Sequence, residues 1–201
     1  MGAAAARPAW ENDRIRFSDN HLDAGAVMRT MALIGMPGSG KSAVGSIIAE
    51  RLGWGFLDTD LLIERRFGLK LQAVIDQVGI EAFSRIEEET VLSLDPVERS
   101  VISTGGSVVY SAAAMRHLCS ISTVVFLDLP IDAIRSHISL DAPRGIVGMD
   151  EGGLEQLYEQ RLPLYRKYAQ MVVLLDDCTT EEAAARVLSQ WKEYVASDRQ
   201  R

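Results

Sequence analysis

The sequence predicts an α/β fold in which helices cover both faces of a five-stranded parallel sheet. From Met28 onward, short apolar runs alternate with longer stretches of helical spacing, a pattern typical of βαβ units. The first apolar run leads directly into Gly35-Met36-Pro37-Gly38-Ser39-Gly40-Lys41-Ser42, a complete GxxxxGK[ST] phosphate-binding motif. That motif joins a strand to a helix, so the two observations predict the same three-layer architecture.

The predicted strands are five short runs rich in β-branched or large apolar residues, as buried parallel strands are. They cover residues 30–34, 55–57, 100–103, 123–127 and 171–175. Helical spacing fills the gaps, over residues 41–52, 61–67, 71–78, 80–94, 111–118, 131–138, 154–169 and 180–195. The residues between Leu140 and Gly153 include a proline and several glycines, which predict a mobile surface loop.

Composition and charge favour one domain over residues 28–201, preceded by a loosely ordered extension over residues 1–27. The 28 acidic and 21 basic residues leave a net charge of −7, which disfavours general affinity for nucleic acid or for anionic membranes. The two cysteines, Cys119 and Cys178, are too few for a disulfide framework or a zinc site. We therefore expect a cytoplasmic protein, monomeric, with a small-molecule partner.

The phosphate-binding motif indicates a nucleoside triphosphate as ligand. Its glycines, Gly38 and Gly40 among them, let the backbone fold around a phosphate with the N–H groups pointing inward. Lys41 supplies a mobile cation, and Ser42 offers a hydroxyl to Mg²⁺. The alternative, a glycine-rich turn that arose by chance, fits poorly between an apolar strand and a helix of regular spacing.

Two carboxylates, Asp58 and Asp60, follow the second predicted strand. Side chains two residues apart on an extended chain leave the same side, and ligands of parallel sheets bind beyond the carboxyl ends of the strands. We therefore expect both carboxylates near Lys41 and Ser42, one of them holding metal and the other taking a proton. The alternative is that Asp60 only caps the helix after it.

Two weaker signals lie further along the chain. Gly105 and Gly106 follow the third predicted strand, where glycines let a ligand touch the backbone, although such pairs are more often simple tight turns. Arg161 lies in a helical stretch, where an arginine interacts either with the helix dipole or with an anion. From residue types alone, a surface position for Arg161 is favoured.

Together and in this order, these features resemble the shikimate kinase family. The matching runs are GMPGSGKS at 35–42, FLDTD at 56–60, IERRFG at 63–68, F-x-R-I-E-E at 83–88, TGG at 104–106 and RLPLYRKYA at 161–169. The resemblance implies a nucleoside monophosphate kinase-like fold with sheet order 2-3-1-4-5, a substrate subdomain at 61–95 and a lid at 140–153. It also implies that ATP, with Mg²⁺, phosphorylates a hydroxyl group of shikimate.

On the nucleotide side, the resemblance assigns residues 38–43, from Gly38 to Ala43 and with Ser39 among them, to the phosphate cradle of ATP. It makes Ser42 a direct Mg²⁺ ligand and Asp58 a metal-binding residue that acts through water. Arg144 matches the lid arginine that closes over the transferring phosphoryl group.

On the acceptor side, the resemblance makes Asp60 the residue that holds and activates the substrate hydroxyl. Gly105 and Gly106 match the backbone wall of the substrate pocket. Arg161 matches the arginine that grips the substrate carboxylate, for which a bidentate arginine is a natural partner.

The acceptor side also departs from the family pattern. Ser84 stands where the family usually has a second carboxylate-gripping arginine, and Ser107 replaces a third glycine. Losing one charge-assisted hydrogen bond, about 1.5 to 3 kcal/mol, weakens shikimate binding roughly ten- to hundredfold, unless the neighbouring Arg85 swings in. Where the family's lid has Arg-Pro-Leu-Leu, this chain has RGIV at 144–147. His137 stands where the family commonly has an arginine near the adenine.

Three functions stay open at this point. The first is a shikimate kinase. The second, favoured by Ser84, Ser107 and Gly145, is a related kinase for another hydroxylated acceptor, such as a hydroxy acid, sugar acid or amino-acid alcohol. The third is a nucleotide-dependent binding module without transfer, which the presence of Asp60 and Arg144 disfavours.

Overall fold

The sheet has five parallel strands. The structure is a computed structural model and describes residues 30–95, 98–140, 147 and 153–198. The strands are β1 (Thr30–Ile34), β2 (Gly55–Asp58), β3 (Ser100–Ser103), β4 (Thr123–Asp128) and β5 (Met171–Leu174). Their order is β2-β3-β1-β4-β5, which confirms the order that the resemblance implies. Because β1 lies at the centre, the phosphate loop leaves the middle of the sheet.

The register brings the carboxyl ends of the strands to one edge. Leu33 near the end of β1 pairs with Ser103 of β3 and with Val125 of β4, and Asp58 of β2 pairs with the same Ser103. The three central strands are buried along their whole length, as strands covered on both faces are. The loops after β1, β2 and β3 therefore meet above one rigid edge, where ligands of open α/β sheets bind.

Eight helices are described, and they cover both sides of the sheet. They are α1 (Lys41–Leu52), α2 (Thr59–Phe67), α3 (Leu71–Val78), α4 (Ile80–Leu92), α5 (Ala112–Ile121), α6 (Ile131–Leu140), α7 (Gly153–Tyr168) and α8 (Thr180–Asp198). As predicted, α1 ends at Leu52 and is followed by Gly53, whose positive φ of 64° suits a helix C-cap. In the large core, α1 packs against α8, and α4 packs against α5.

A second, smaller core lies under the helices that follow β2. It consists of Ile63, Val74, Ile75 and Phe83, with Val147 packed against it. Because α2, α3 and α4 bury their apolar sides against one another, they form a layer of their own beside the sheet edge. Val147 lies between α6 and α7, within the predicted lid.

Several element ends differ from the expectations. The helix α2 begins at Thr59 instead of residue 61, α4 ends at Leu92 instead of residue 94, and a short 3₁₀ turn (Val108–Tyr110) was not expected. Residues 1–27 and nearly all of the predicted lid lie outside the described residues. In the described part, both cysteines are free thiols, and no helix combines the length and apolarity needed to cross a membrane.

Candidate active site

The phosphate loop joins β1 to α1 and is shaped by two glycines with positive φ. Gly38 has φ 78° and Gly40, the residue before α1, has φ 80°, values that residues with a Cβ rarely adopt. The first turn of α1 then presents backbone N–H groups that have no hydrogen-bond acceptor within the helix. The loop and the helix end together form an anion site of the kind that binds phosphate groups.

Lys41 is folded back into this loop. Its ammonium group donates to the carbonyl oxygens of Gly35 at 2.9 Å and Met36 at 2.8 Å, and only 8% of the residue is exposed. Burial lowers the pKa of Lys41 to about 8, against the opposing effect of Asp60, while Arg161 lowers it further. A phosphate group in the loop would therefore raise the pKa again and favour the charged lysine.

Ser42 and Asp58 meet at the same edge and fit a magnesium ion. The Ser42 hydroxyl donates to Asp58 Oδ2 at 2.6 Å, and Ser42 Oγ lies 3.2 Å from Ser103 Oγ. Magnesium prefers such oxygen ligands and, beside triphosphates, uses one or two protein groups together with phosphate oxygens. Across residues 30–95, 98–140, 147 and 153–198, no three His, Cys, Asp or Glu side chains could hold a metal by themselves. The pair therefore fits a metal shared with a bound nucleotide.

Asp58 also caps α2, which corrects the reasoning about the two carboxylates. Asp58 Oδ1 accepts from the backbone N–H groups of Asp60 at 3.0 Å and Leu61 at 3.3 Å, so Asp60 is not the cap. Asp60 lies in the first turn of α2, and the argument from an extended chain was wrong for it. It still faces the site, because its Oδ1 lies 2.9 Å from where a Cβ of Gly105 would be, and it raises the pKa of Lys41.

Gly105 begins a wall opposite the phosphate loop that has no room for a side chain. A methyl group on Gly105 would overlap Glu87 Oε1 and would lie 2.9 Å from Asp60 Oδ1. The Gly105 N–H group donates to Thr59 Oγ1 at 3.2 Å, which fixes this turn to the start of α2. Two carboxyl groups therefore flank the bare backbone of Gly105.

Gly106 continues the wall and connects the two halves of the site. A methyl group here would lie 2.9 Å from Pro37 Cδ, in the phosphate loop, and 3.0 Å from Arg161 Nη1. The Tyr165 hydroxyl donates to the Gly106 carbonyl at 2.7 Å, and burial raises the pKa of this tyrosine. The glycine is thus held between the phosphate loop and the helix α7.

Arg161 is buried in the site, so the surface position favoured by residue types alone was wrong. Only 1% of the residue is exposed, and its guanidinium lies 5.0 Å from the centre of the Tyr110 ring. Nε donates to the Tyr110 hydroxyl at 3.3 Å, and Nη2 donates to the Val147 carbonyl at 2.5 Å. The guanidinium is therefore positioned by α7, by the 3₁₀ turn and by one residue of the predicted lid.

Glu87 is a site residue that the sequence analysis did not single out. It is 3% exposed, and burial raises its pKa to about 7. The Ser107 side chain opposes this rise through a hydrogen bond, and Asp60 adds to it by repulsion. A signal was present in the sequence, because Glu87 lies one turn after the buried Phe83 and so carries a carboxylate into the apolar stripe of α4.

The remaining predicted residues are placed as follows. Arg144 lies outside the described residues, while Ser39 is buried in the loop and Ala43 is exposed on the first turn of α1. Arg85 is exposed, while Ser84 is half-buried and donates to a carbonyl one turn earlier in α4.

His137 of α6 lies against the phosphate loop, with Nδ1 2.8 Å from the Gly38 carbonyl oxygen. Since only a protonated ring nitrogen can donate to that carbonyl, Nδ1 carries the hydrogen. The residue therefore contacts the nucleotide side of the site at the phosphate loop.

Comparison with known proteins agrees with this geometry. The family model for shikimate kinase matches residues 37–192. A shikimate kinase from Paracidovorax citrulli is 41% identical over 70% of this chain and 79% of its own length. One from Thermodesulfovibrio yellowstonii is 30% identical over 82% of this chain and 96% of its own.

Solved structures show the same likeness. The shikimate kinase of Acinetobacter baumannii in complex with shikimate superimposes with a TM-score of 0.77 at 27% identity, covering 85% of this chain and 97% of that one. The shikimate kinase of Aquifex aeolicus gives 0.70 at 29% identity, covering 83% and 98%. Match and fold together show that the chain belongs to the shikimate kinase family, whose members are ATP-dependent phosphotransferases acting on an alcohol.

Proposed function

We propose that this chain transfers the γ-phosphoryl group of ATP to a hydroxyl group of shikimate, forming 3-phosphoshikimate. The position of Gly106 is the observation that carries this proposal, because a Cβ there would lie 2.9 Å from Pro37 Cδ of the phosphate loop and 3.0 Å from Nη1 of the buried Arg161. An anionic acceptor held by Arg161 would therefore lie directly beside the triphosphate. This proximity supplies the positioning on which phosphoryl transfer depends.

On the nucleotide side, we assign phosphate binding to the backbone from Gly38 to Ala43 and to the side chain of Lys41. The ammonium group would exchange its bonds to two loop carbonyls for phosphate oxygens, which are stronger acceptors because they are charged. Ser42 and Asp58 would hold Mg²⁺, which neutralises charge on the phosphates when bound.

On the acceptor side, Asp60 would orient the attacking hydroxyl and accept its proton. Arg161 would exchange its bond to the Val147 carbonyl for the acceptor carboxylate, again a charged acceptor in place of a neutral one. The bare backbone of Gly105 and Gly106 would let the acceptor ring approach closely. We assign residues 61–95 to acceptor binding, and Arg144 with residues 140–153 to a lid that closes over the reacting groups.

A second acceptor class has one specific observation in its favour. Ser84 cannot grip a carboxylate as an arginine does, and the exposed Arg85 does not take its place in this structure. A pocket with one arginine binds a carboxylate less tightly than a pocket with two. An acceptor bound mainly through its hydroxyl groups would lose less affinity from the change. The competing candidate is therefore a kinase for another small hydroxylated compound.

The test is ADP release measured with shikimate and with a panel of hydroxy acids, sugar acids and amino-acid alcohols. Shikimate should give the highest kcat/KM, and Lys41→Ala should abolish transfer while the protein stays folded. Arg161→Lys is the matched acceptor variant, since it keeps the charge but loses the planar fork, and it should raise KM for shikimate far more than KM for ATP. A higher kcat/KM for another acceptor would reject shikimate as the substrate.

We also propose that the protein acts as a monomer in the cytoplasm. The described groups that would bind ATP and the acceptor lie together within one chain, which is compatible with a monomeric enzyme. Free thiols at Cys119 and Cys178 fit a reducing compartment. Sedimentation of the protein at micromolar concentration would test the oligomeric state.

A further inference from the structure

The two departures from the family pattern on the acceptor side meet at one residue, Glu87. Ser84 precedes Glu87 by three positions on α4, so the two side chains lie on neighbouring parts of one helix face. Ser107 faces Glu87 from the loop after β3, and its hydrogen bond acts on the pKa of that carboxyl. Serine therefore replaces the family's arginine at position 84 and its glycine at position 107, and both serines lie near one buried carboxyl group.

Glu87 Oε1 is oriented toward the acceptor wall and has no hydrogen-bond partner among the described residues. It lies where a Cβ of Gly105 would be, with Asp60 Oδ1 beside the same point, and Arg161 Nη1 approaches the corresponding point of the next residue, Gly106. The unsatisfied carboxyl oxygen and the guanidinium therefore flank consecutive residues of the same wall. A buried polar atom without a partner is rare in folded proteins, and one that faces a binding wall is available to bond with a bound molecule.

The charges that face Glu87 come from three elements. Asp60 on α2 raises its pKa, whereas Arg161 on α7 and Lys41 on α1 lower it, and burial outweighs them all. The ionisable residues of the other helices packed on α4 point elsewhere: Asp76 of α3 and Arg116 of α5 are exposed, and His117 bonds to the Leu94 carbonyl.

We propose that Glu87 binds the acceptor as a neutral carboxylic acid, donating its O–H to the acceptor carboxylate in place of the arginine absent at position 84, so that acceptor binding takes up a proton. The inference rests on the proposed function, since it assumes an anionic acceptor held by Arg161. An ionised Glu87 beside the acceptor carboxylate would repel it, whereas a carboxylic acid donates a hydrogen bond to it. The pKa of about 7 in the free protein means that the proton is available under ordinary conditions.

The experiment measures shikimate binding by titration calorimetry at about pH 6, 7 and 8, each in two buffers of different ionisation enthalpy. The acceptor carboxylate stays ionised over this range, so proton uptake reports on the protein. For a group with a free pKa of about 7, linkage gives uptake of about half a proton at pH 7, and affinity about tenfold weaker at pH 8 than at pH 6. The wild-type measurement needs no variant and so does not depend on any substitution folding.

Two variants separate Glu87 from Lys41, which titrates in the same range. Glu87→Gln keeps a donor of the same shape without a titrating proton, so the Glu87 part of the pH dependence and the uptake should disappear while strong binding at pH 6 persists. Ser84→Arg restores the family residue, which should ionise Glu87, remove the uptake and tighten binding at pH 8 roughly ten- to hundredfold. Thermal melts of both variants check that they fold.

Wild-type binding that changes less than twofold from pH 6 to pH 8, with no proton uptake, would overturn the role of Glu87 while leaving shikimate as the acceptor. Equal weakening of wild type and Glu87→Gln over this range would also overturn it, because the titrating group would then be Lys41. A protein that binds an ATP analogue but no shikimate at any pH would overturn both this inference and the proposed function.

Discussion

Glu87→Gln should make the ligand-free protein more stable at neutral and higher pH. The pKa of Glu87 rises from an ordinary 4.5 to about 7 in the folded protein. Between these two values the folded protein keeps a proton that the unfolded chain has lost, so the free energy of unfolding falls as pH rises through this window. The full difference corresponds to about 3 kcal/mol above pH 7, a large share of an ordinary domain's stability.

Glutamine removes this cost because it cannot ionise. Its amide also leaves a donor near Asp60 and keeps an acceptor for Ser107, so little hydrogen bonding is lost. We expect the two proteins to be about equally stable at pH 5, and the variant to be more stable by about 2 to 3 kcal/mol at pH 8. The difference should therefore grow with pH, which a general improvement in packing would not produce.

Urea unfolding of both proteins at intervals from pH 5 to pH 9 provides the measurement. Glu89→Gln is the matched control, since this carboxylate lies on the same helix but is exposed and makes a surface ion pair with Arg66 at 3.5 Å. It should change stability by less than about 0.5 kcal/mol at any pH. A stability difference between wild type and Glu87→Gln that stays constant with pH would refute the reasoning.

Three further predictions concern the nucleotide, the metal and the wall. Because the pKa of Lys41 is about 8 and phosphate favours its charged form, the Kd of an ATP analogue should rise about tenfold from pH 7 to pH 9, and Lys41→Met should flatten this profile. Asp58→Asn keeps one acceptor oxygen for the cap, and its NH₂ group can donate to Ser42 Oγ, so stability should change little while the Mg²⁺ concentration for half-maximal activity rises at least about tenfold; Asp58→Ala should also lose about 1 kcal/mol of stability. Gly105→Ala places a methyl group on Glu87 Oε1, so it should cost about 1 to 3 kcal/mol of stability and raise KM for the acceptor without raising KM for ATP.

The strands and the phosphate loop could be predicted because their signals are local. Buried parallel strands are short continuous apolar runs, and the glycines of the loop are required by its positive φ values. The start of α2 was harder to predict, because it depends on which of the two aspartates, Asp58 or Asp60, accepts hydrogen bonds from the first backbone N–H groups of the helix. Only the observed bonds to Asp58 decide this.

The acceptor side was harder to predict because its residues act through distant partners. Arg161 is buried by Tyr110 and Val147, which lie 51 and 14 positions away in the chain, so its residue type and its helix gave no indication of this. Glu87 had a local signal, a carboxylate in an apolar stripe. That signal acquires meaning only when Gly105 and Ser107 are known to lie beside it.

Burial shifts the pKa values of Lys41 and Glu87 in opposite directions, and these shifts affect how ATP and the acceptor influence each other's binding. It lowers the pKa of the lysine and raises that of the carboxyl, so each is driven toward its neutral form in the free protein. An acceptor carboxylate that arrives together with a proton adds no net charge to the site, whereas one bound by fixed arginines adds a full negative charge. The pKa of Lys41 should then be nearly the same with and without acceptor at pH 8, and so should the affinity for ATP. In Ser84→Arg, by contrast, the affinity for ATP should depend on whether the acceptor is bound.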